Sequence, residues 1–261
     1  MVPTPIPVFV INLDRSTDRL AHITAQLDGL GMKFRRIPAV DGRLHPPSAD
    51  PDYDARRTRR FSGRELNSGE VGCFQSHRIA ARLFLETGSP VGMVLEDDAV
   101  LAPELPALVA ELAGLAASPE APRWHLVNLG ANVLKISTPL CPIGARILHR
   151  AHHFPVTTTG LLWSRAGAEA FLKEGVPIHA TVDNWLRHWL TRSNLGLVIV
   201  PSPVRSAEYR SEIDTSATFH DRKMTGRTWN YGWRRLRRMI VQKAYARTHR
   251  ARAILTARLR G

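Results

Sequence analysis

Apolar positions along the chain follow two rhythms. Val8, Phe9, Val10 and Ile11 form an unbroken run of β-branched and aromatic residues, the signature of a strand covered on both faces. Leu20, Ile23, Leu27 and Leu30 then recur at helical spacing until Gly29 and Gly31 stop the pattern. Residues 34–40 read as a second strand, closed by Asp41-Gly42, so the first forty residues predict a βαβ unit. A helix follows from a cap at Asn67 or Ser68 to about residue 87, with Val71, Phe74, Ala81 and Leu85 facing inward. Residues 91–95 read as a buried strand. Pro103 is placed to open a helix through Leu105, Leu108, Leu112 and Leu115. Further strands are expected at 126–129, 158–163 and 197–200, and helices at 165–173 and 182–191. Residues 43–60 carry prolines and little periodicity and read as a loop. Strands alternating with helices predict an α/β fold around a mainly parallel central sheet.

Composition narrows the class. At 261 residues with 44% hydrophobic and 23% charged positions, the chain is neither a disordered polymer nor a small disulfide-stapled domain. Its two cysteines, Cys73 and Cys141, are too few for a disulfide framework and suit a reducing compartment. The formal charge of +13 is unevenly placed. Residues 222–261 hold 13 Lys or Arg and no acidic residue, whereas residues 1–221 carry 23 charges of each sign. The chain therefore divides into a neutral body, residues 1–221, and a basic amphipathic helical tail, residues 222–261. No run reaches the ~18 apolar residues of a membrane-spanning helix. The Pro-punctuated, Lys- and Arg-free segment before Ile11 makes a poor secretory signal. These features together predict a cytoplasmic location.

Three constellations carry candidate chemistry. Glu96-Asp97-Asp98 directly follows a buried strand. Three adjacent carboxylates repel, so protons or a cation must neutralise them, and hard oxygen ligands suit Mn²⁺ or Mg²⁺. The bland reading is a solvated acidic turn. Secondly, Asn12, Asp14, Arg15 and Arg19 surround a helix start after the first strand, where N–H groups and guanidinium forks suit a diphosphate. Asp41 ends the next strand, where a carboxylate can accept ribose hydroxyls; a capped helix with surface ion pairs is the competing reading. Thirdly, Glu70 and His77 lie seven residues apart on one side of a helix, with Ser76 beside them. They either line a ligand cleft or satisfy one another's surroundings as a structural pair.

The segments Val10-Ile11-Asn12-Leu13-Asp14-Arg15 with Arg19, Ala39-Val40-Asp41-Gly42, Gly69-Glu70-Val71-Gly72-Cys73 with Ser76-His77, and Leu95-Glu96-Asp97-Asp98 occur in one order. Thr159-Gly160, Ser164, Gly167, Ala168, Pro177 and Asp183 follow. Together they resemble glycosyltransferase family 25, the lipopolysaccharide and lipooligosaccharide biosynthesis glycosyltransferases, over residues 6–213. The resemblance implies a GT-A-like nucleotide-sugar fold and an inverting, metal-dependent transfer of a sugar, commonly galactose from a UDP-sugar, onto a glycan or glycolipid acceptor. It sets Glu96-Asp97-Asp98 at the family's D-x-D-type metal motif, with Asp98 and Glu96 as metal ligands, His220 as a distal candidate, and Asp97 at the nucleotide-sugar. Asn12, Asp14, Arg15, Arg19, Asp41, Glu70, Ser76 and His77 fall in the remaining nucleotide-sugar motifs. Residues 131–155 match poorly, which makes them a candidate acceptor region.

Inversion demands a base on the acceptor side. Asp183, at the start of the helix expected over 182–191, is the candidate, its alternative role being the N-cap of that helix. In the tail, Trp233, Leu236, Ile240, Ala244, Ala251 and Leu255 recur among arginines. Such a helix suits an anionic membrane surface, which predicts peripheral association with the inner face of the cytoplasmic membrane. Nucleic acid is the rival partner and is not the expected one. A metal-dependent phosphohydrolase of nucleotide or sugar phosphates and a non-catalytic polyanion-binding protein are the competing functions.

Overall fold

The computed structural model describes residues 6–118, 121–131, 133–207, 229 and 231–259. Elements follow in the order β1 (Val8–Asn12), α1 (Thr17–Gly29), β2 (Arg35–Pro38), α2 (Ala55–Ser62), α3 (Ser68–Glu86), β3 (Val91–Glu96), β4 (Ala99–Leu101) and α4 (Leu105–Ala117). Next come β5 (Leu126–Asn128), β6 (Ser137–Ile143), β7 (Arg146–Ala151), β8 (Gly160–Ser164), α5 (Arg165–Glu174), α6 (Val182–Ser193), β9 (Gly196–Val200), β10 (Val204–Ser206) and α7 (Tyr231–Arg258).

Eight strands form one sheet in the order β2-β1-β3-β8-β5-β9-β7-β6, and β10 pairs with β4 in a small second sheet. Strands β2, β1 and β3 are mutually parallel, as are β5 and β9. Strand β8 runs antiparallel between β3 and β5, and β7 runs antiparallel between β9 and β6. The sheet is therefore mixed rather than mainly parallel, although six of its eight strands share one direction.

Alternation along the buried strands divides the core into two layers. Phe9, Ile11 and Val94 face a cluster with Phe74, Phe84, Trp163, Phe171 and Trp185 from α3, β8, α5 and α6. Val8, Val10, Met93 and Leu95 face Ile23, Leu27, Leu105, Leu108 and Leu112 from α1 and α4. Helices thus cover both faces, which is why β1 and β3 are continuously apolar. Trp163, Trp185 and Trp189 are all buried in the first layer.

One stretch folds against the sequence expectation, and a second forms elements where the sequence reading assigned none. Residues 55–60, part of the stretch read as loop, belong to α2, whose side chains expose arginines and bury only Thr58. It is held by local bonds instead: Asp54 accepts from the Arg57 amide at 2.8 Å, and Gly63 ends it at φ 75°. Residues 137–151, with Pro139 and Pro142, form the β6–β7 hairpin at the sheet margin. An outermost strand tolerates prolines, since one side of its backbone needs no ladder donor. Helix α4 starts at Leu105, with Glu104 as N-cap and Pro106 in the first turn, two residues after the expected start. Helix α7 lies against α2 and α6. Among the described residues, no helix is long and apolar enough to cross a membrane.

Candidate active site

The parallel pairing of β1 with β3 sets Ile11 opposite Glu96 and so brings Asn12 beside Asp97 at one edge of the sheet. Asn12 is buried and bonded at both ends of its amide. Its Nδ2 donates to Asp97 Oδ2 at 2.7 Å and to the Ser16 carbonyl at 3.0 Å, while Oδ1 accepts from Arg36 Nε at 2.9 Å. Arg19 approaches Asp97 Oδ1 at 3.4 Å. Both oxygens of the middle carboxylate are therefore engaged.

Its neighbours are held differently. His77 Nε2 lies 3.1 Å from Glu96 Oε1, and Thr158 Oγ1 donates to the same oxygen at 2.7 Å. Ser206 donates to Asp98 Oδ2 at 2.6 Å, and the Ala207 amide bonds the Asp98 carbonyl at 2.8 Å. Asp98 Oδ1 is buried with no hydrogen-bond partner among the described residues, an arrangement that is unfavourable unless something else fills it.

The electrostatics follow. Burial, together with the charges of Glu96 and Asp97, pushes the Asp98 carboxyl above its usual range, with Ser206 opposing. Burial also raises Asp97, against Asn12 and Arg19. For Glu96 burial works in the same direction, but the bonds from His77 and Thr158 and the His77 charge outweigh it and hold the carboxyl below its usual value.

Helix α3 is pressed against this edge. A Cβ on Gly72 would lie 2.5 Å from the Val40 carbonyl, and one on Gly42 would lie 2.3 Å from the Ser68 backbone. Only glycines permit that approach. Ser76 fastens it, accepting from the Val40 amide at 2.9 Å and donating to the Gly72 carbonyl at 2.7 Å. One turn of helix then sets Cys73 and His77 on the face toward Glu96, their ligand atoms all within 4.8 Å of one another. Burial, with Glu96 and Asp183 adding, pushes the Cys73 thiol far up, so it stays protonated.

The other expected residues separate into groups. Arg15 pairs with Asp41, and Asp41 Oδ1 accepts from the Arg43 amide at 2.9 Å. Asp14 is exposed and pairs with Arg36. Glu70 is turned away to the start of α3, where it completes a capping box with Asn67 and takes both guanidinium nitrogens of Arg64. These contacts are those of a helix cap, and none is made to His77. Asp183 is not the N-cap of α6; Thr181 is, and Asp183 sits in the first turn, bonded by Thr181 and by the Asn184 amide at 2.7 Å. His220 lies outside the described residues.

Sequence reasoning passed over Arg36, Thr158 and Ser206. A polar run, Thr157-Thr158-Thr159 before β8, was the available signal for the second. Ser206 arrives through β10, which pairs with β4 across about a hundred residues of sequence and leaves no local trace. At the opposite edge of the sheet a cavity of about 350 Å³ opens beside Pro90, Trp124, His125 and Arg165. Its described lining holds no carboxylate.

Hard oxygen donors, mutual repulsion and one unfilled buried oxygen fit a divalent cation. With Asp97 fully engaged, Asp98 and Glu96 are the side chains that would hold it.

The profile of glycosyltransferase family 25 (LPS biosynthesis protein) matches residues 5–186. A glycosyltransferase 25 family member of Aedes aegypti is 25% identical over 223 residues, covering 78% of this chain and 36% of that protein. Procollagen galactosyltransferase 1-B of Xenopus laevis is 30% identical over 176 residues, 63% of this chain and 28% of its own length. Inactive glycosyltransferase 25 family member 3 of Homo sapiens is 37% identical over 95 residues, 35% and 16% of the two chains. The chain thus spans about a third or less of the length of these curated relatives. The matched segment runs from β1 to the beginning of α6 and includes every described strand end that contributes to the carboxylate edge except β10; the chain belongs to glycosyltransferase family 25.

Proposed function

We propose that this protein is a metal-dependent, inverting galactosyltransferase of GT-A-like architecture, moving galactose from UDP-galactose to a hydroxyl of a lipopolysaccharide-type glycan. The reading is carried by one observation: of three adjacent carboxylates, the middle one is tied down by Asn12 and Arg19 while Asp98 keeps a buried oxygen without a partner among the described residues. The family description, LPS biosynthesis protein, supports the acceptor class, and the procollagen galactosyltransferase relative supports the sugar.

In this reading Asp98 and Glu96 hold Mn²⁺ or Mg²⁺, with His220 as a further candidate ligand. The ion, when bound, neutralises the charge that gathers on the departing diphosphate. Thr158 and His77 keep Glu96 ionised and oriented, which maintains the negative charge that a cation requires. Arg15 and Arg19 flank the diphosphate at the start of α1, and Asp41 receives the ribose hydroxyls. Asp183 takes the proton of the attacking acceptor hydroxyl, and its charge already reaches the Cys73 neighbourhood. Attack from the face opposite the leaving diphosphate inverts the anomeric centre.

Thermal unfolding with UDP and Mn²⁺ tests the site. The wild-type chain is expected to gain stability only when both are present, and Asp98→Asn to gain none. Equal gains in both proteins remove the metal assignment. Asp183→Asn is expected to keep the gain and lose transfer; loss of both assigns Asp183 a structural role. Likeness to a relative named inactive supports a second reading, binding without transfer. A persistent UDP–Mn²⁺ gain with no galactosylated product across lipopolysaccharide-core acceptors selects it.

A further inference from the structure

Helix α7 is 28 residues long, about 42 Å, and its sequence contains no acidic residue. One side of it is committed to the body. Ala246 and Gln242 are buried at 0% and 5% exposure, Arg238 bonds the Phe61 carbonyl and covers its ring at 4.7 Å, and His249 lies 3.1 Å from the Arg192 carbonyl. These four residues recur at spacings of three and four, so they define one face.

About half a turn away the helix shows the reverse composition. Trp233, Ile240 and Leu255 are 65%, 54% and 58% exposed, and Leu236 is 43% exposed. At 100° per residue these four fall within one outward sector, and Arg237 and Arg247, both exposed, fall in the same sector. Since Arg238, Gln242, Ala246 and His249 already fix the roll of the helix, the apolar strip cannot turn inward to bury itself. A strip of this kind rimmed by cations on a soluble surface marks a binding face.

We infer that the outward face of α7, formed by Trp233, Leu236, Ile240 and Leu255 with Arg237 and Arg247, seats on an anionic lipid bilayer. Charge complementarity selects that occupant. Anionic headgroups meet arginines that no acid on the helix neutralises, while the apolar side chains enter the headgroup–acyl boundary and Trp233 occupies the interface. A nucleic acid would use the arginines and leave the apolar strip in water. A second copy of the chain would bring a like-charged helix against this one. The inference does not depend on the transferase reading, because it uses none of the carboxylate-edge residues.

Co-sedimentation of the full chain with vesicles decides it. Vesicles containing phosphatidylglycerol are expected to bind at least tenfold more tightly than pure phosphatidylcholine vesicles. The double variant Leu236→Ser/Ile240→Ser, which keeps every charge, is expected to lose at least tenfold in partitioning, as is Arg237→Ser/Arg247→Ser. A wild-type melting temperature in each variant shows that the fold is intact. Equal partitioning by parent and Leu236→Ser/Ile240→Ser overturns the proposal. So does tight binding to duplex DNA or RNA that the apolar variant retains while vesicles bind neither protein. A concentration-dependent dimer abolished by the same variant, without vesicle binding, also overturns it and assigns the face to a second copy.

Discussion

Glu70, in the first turn of α3, and Glu96, held against that helix, are both partly buried glutamates, and their surroundings differ in one decisive respect. Glu70 closes a local network: Asn67 and Arg64 sit within six residues of it and satisfy both of its oxygens. Glu96 belongs to a network assembled from β3, α3 and the segment before β8, and it stands two residues from a carboxylate oxygen with no partner among the described residues. A closed ion pair at a helix start stabilises the fold. An incompletely satisfied acidic cluster destabilises the empty protein and is retained where a ligand completes it. Function should therefore be sensitive at Asp98 and Glu96, and stability at Glu70.

The largest effect that would break this contrast concerns Asp98→Asn. It is expected to lower the proposed galactosyl transfer by about 100-fold or more without lowering the melting temperature of the metal-free protein, since it removes a repelled charge; initial rates and calorimetry check the two halves. Next comes Asn12→Ala. It strips the buried Asp97 and Arg36 of their shared partner and is expected to destabilise the protein by about 2–3 kcal/mol, read from urea unfolding. A near-neutral result would mean that Asp97 is satisfied without Asn12.

Glu70→Gln is expected to lower stability by about 1 kcal/mol and to leave the UDP–Mn²⁺ stabilisation unchanged. A loss of nucleotide binding in this variant would return Glu70 to the site. The smallest effect is in pH dependence. Raised folded pKa values at Asp97 and Asp98 favour their protonated forms, so in metal-free protein their contribution is present below the ordinary Asp value of 3.8 and is lost as pH rises through the raised folded values. Glu96, lowered, has the opposite sign: its contribution is present above 4.5 and is lost as pH falls through its folded value. Asp98→Asn should therefore leave stability falling less steeply with rising pH, measured as urea midpoints with and without Mn²⁺.

Much of this architecture was written in local pattern. The unbroken run at residues 8–11, the cap at Asn67 or Ser68, and the acidic triplet after residues 91–95 all lie within short stretches of sequence, so spacing alone exposes them. Helix α2 was illegible because Asp54 and Gly63, rather than an apolar stripe, hold it. The β6–β7 hairpin was illegible because its prolines are acceptable only at a sheet margin, and position in a sheet is a tertiary property.

The site divides the same way. Residue types and strand ends announced a cluster of carboxylates at the edge of an α/β sheet, because a buried strand must deliver its last side chains to that edge. Which carboxylate is engaged and which is left open was decided by contacts spanning 85 residues between Asn12 and Asp97 and 108 between Asp98 and Ser206. Likewise the sequence alone supplied a basic helix with scattered apolar residues, and only its packing against α2 and α6 determined which of them remain in water. Short-range periodicity records what an element must bury; partners brought together by chain crossover leave no periodic mark, so their pairing is fixed by the folded structure alone.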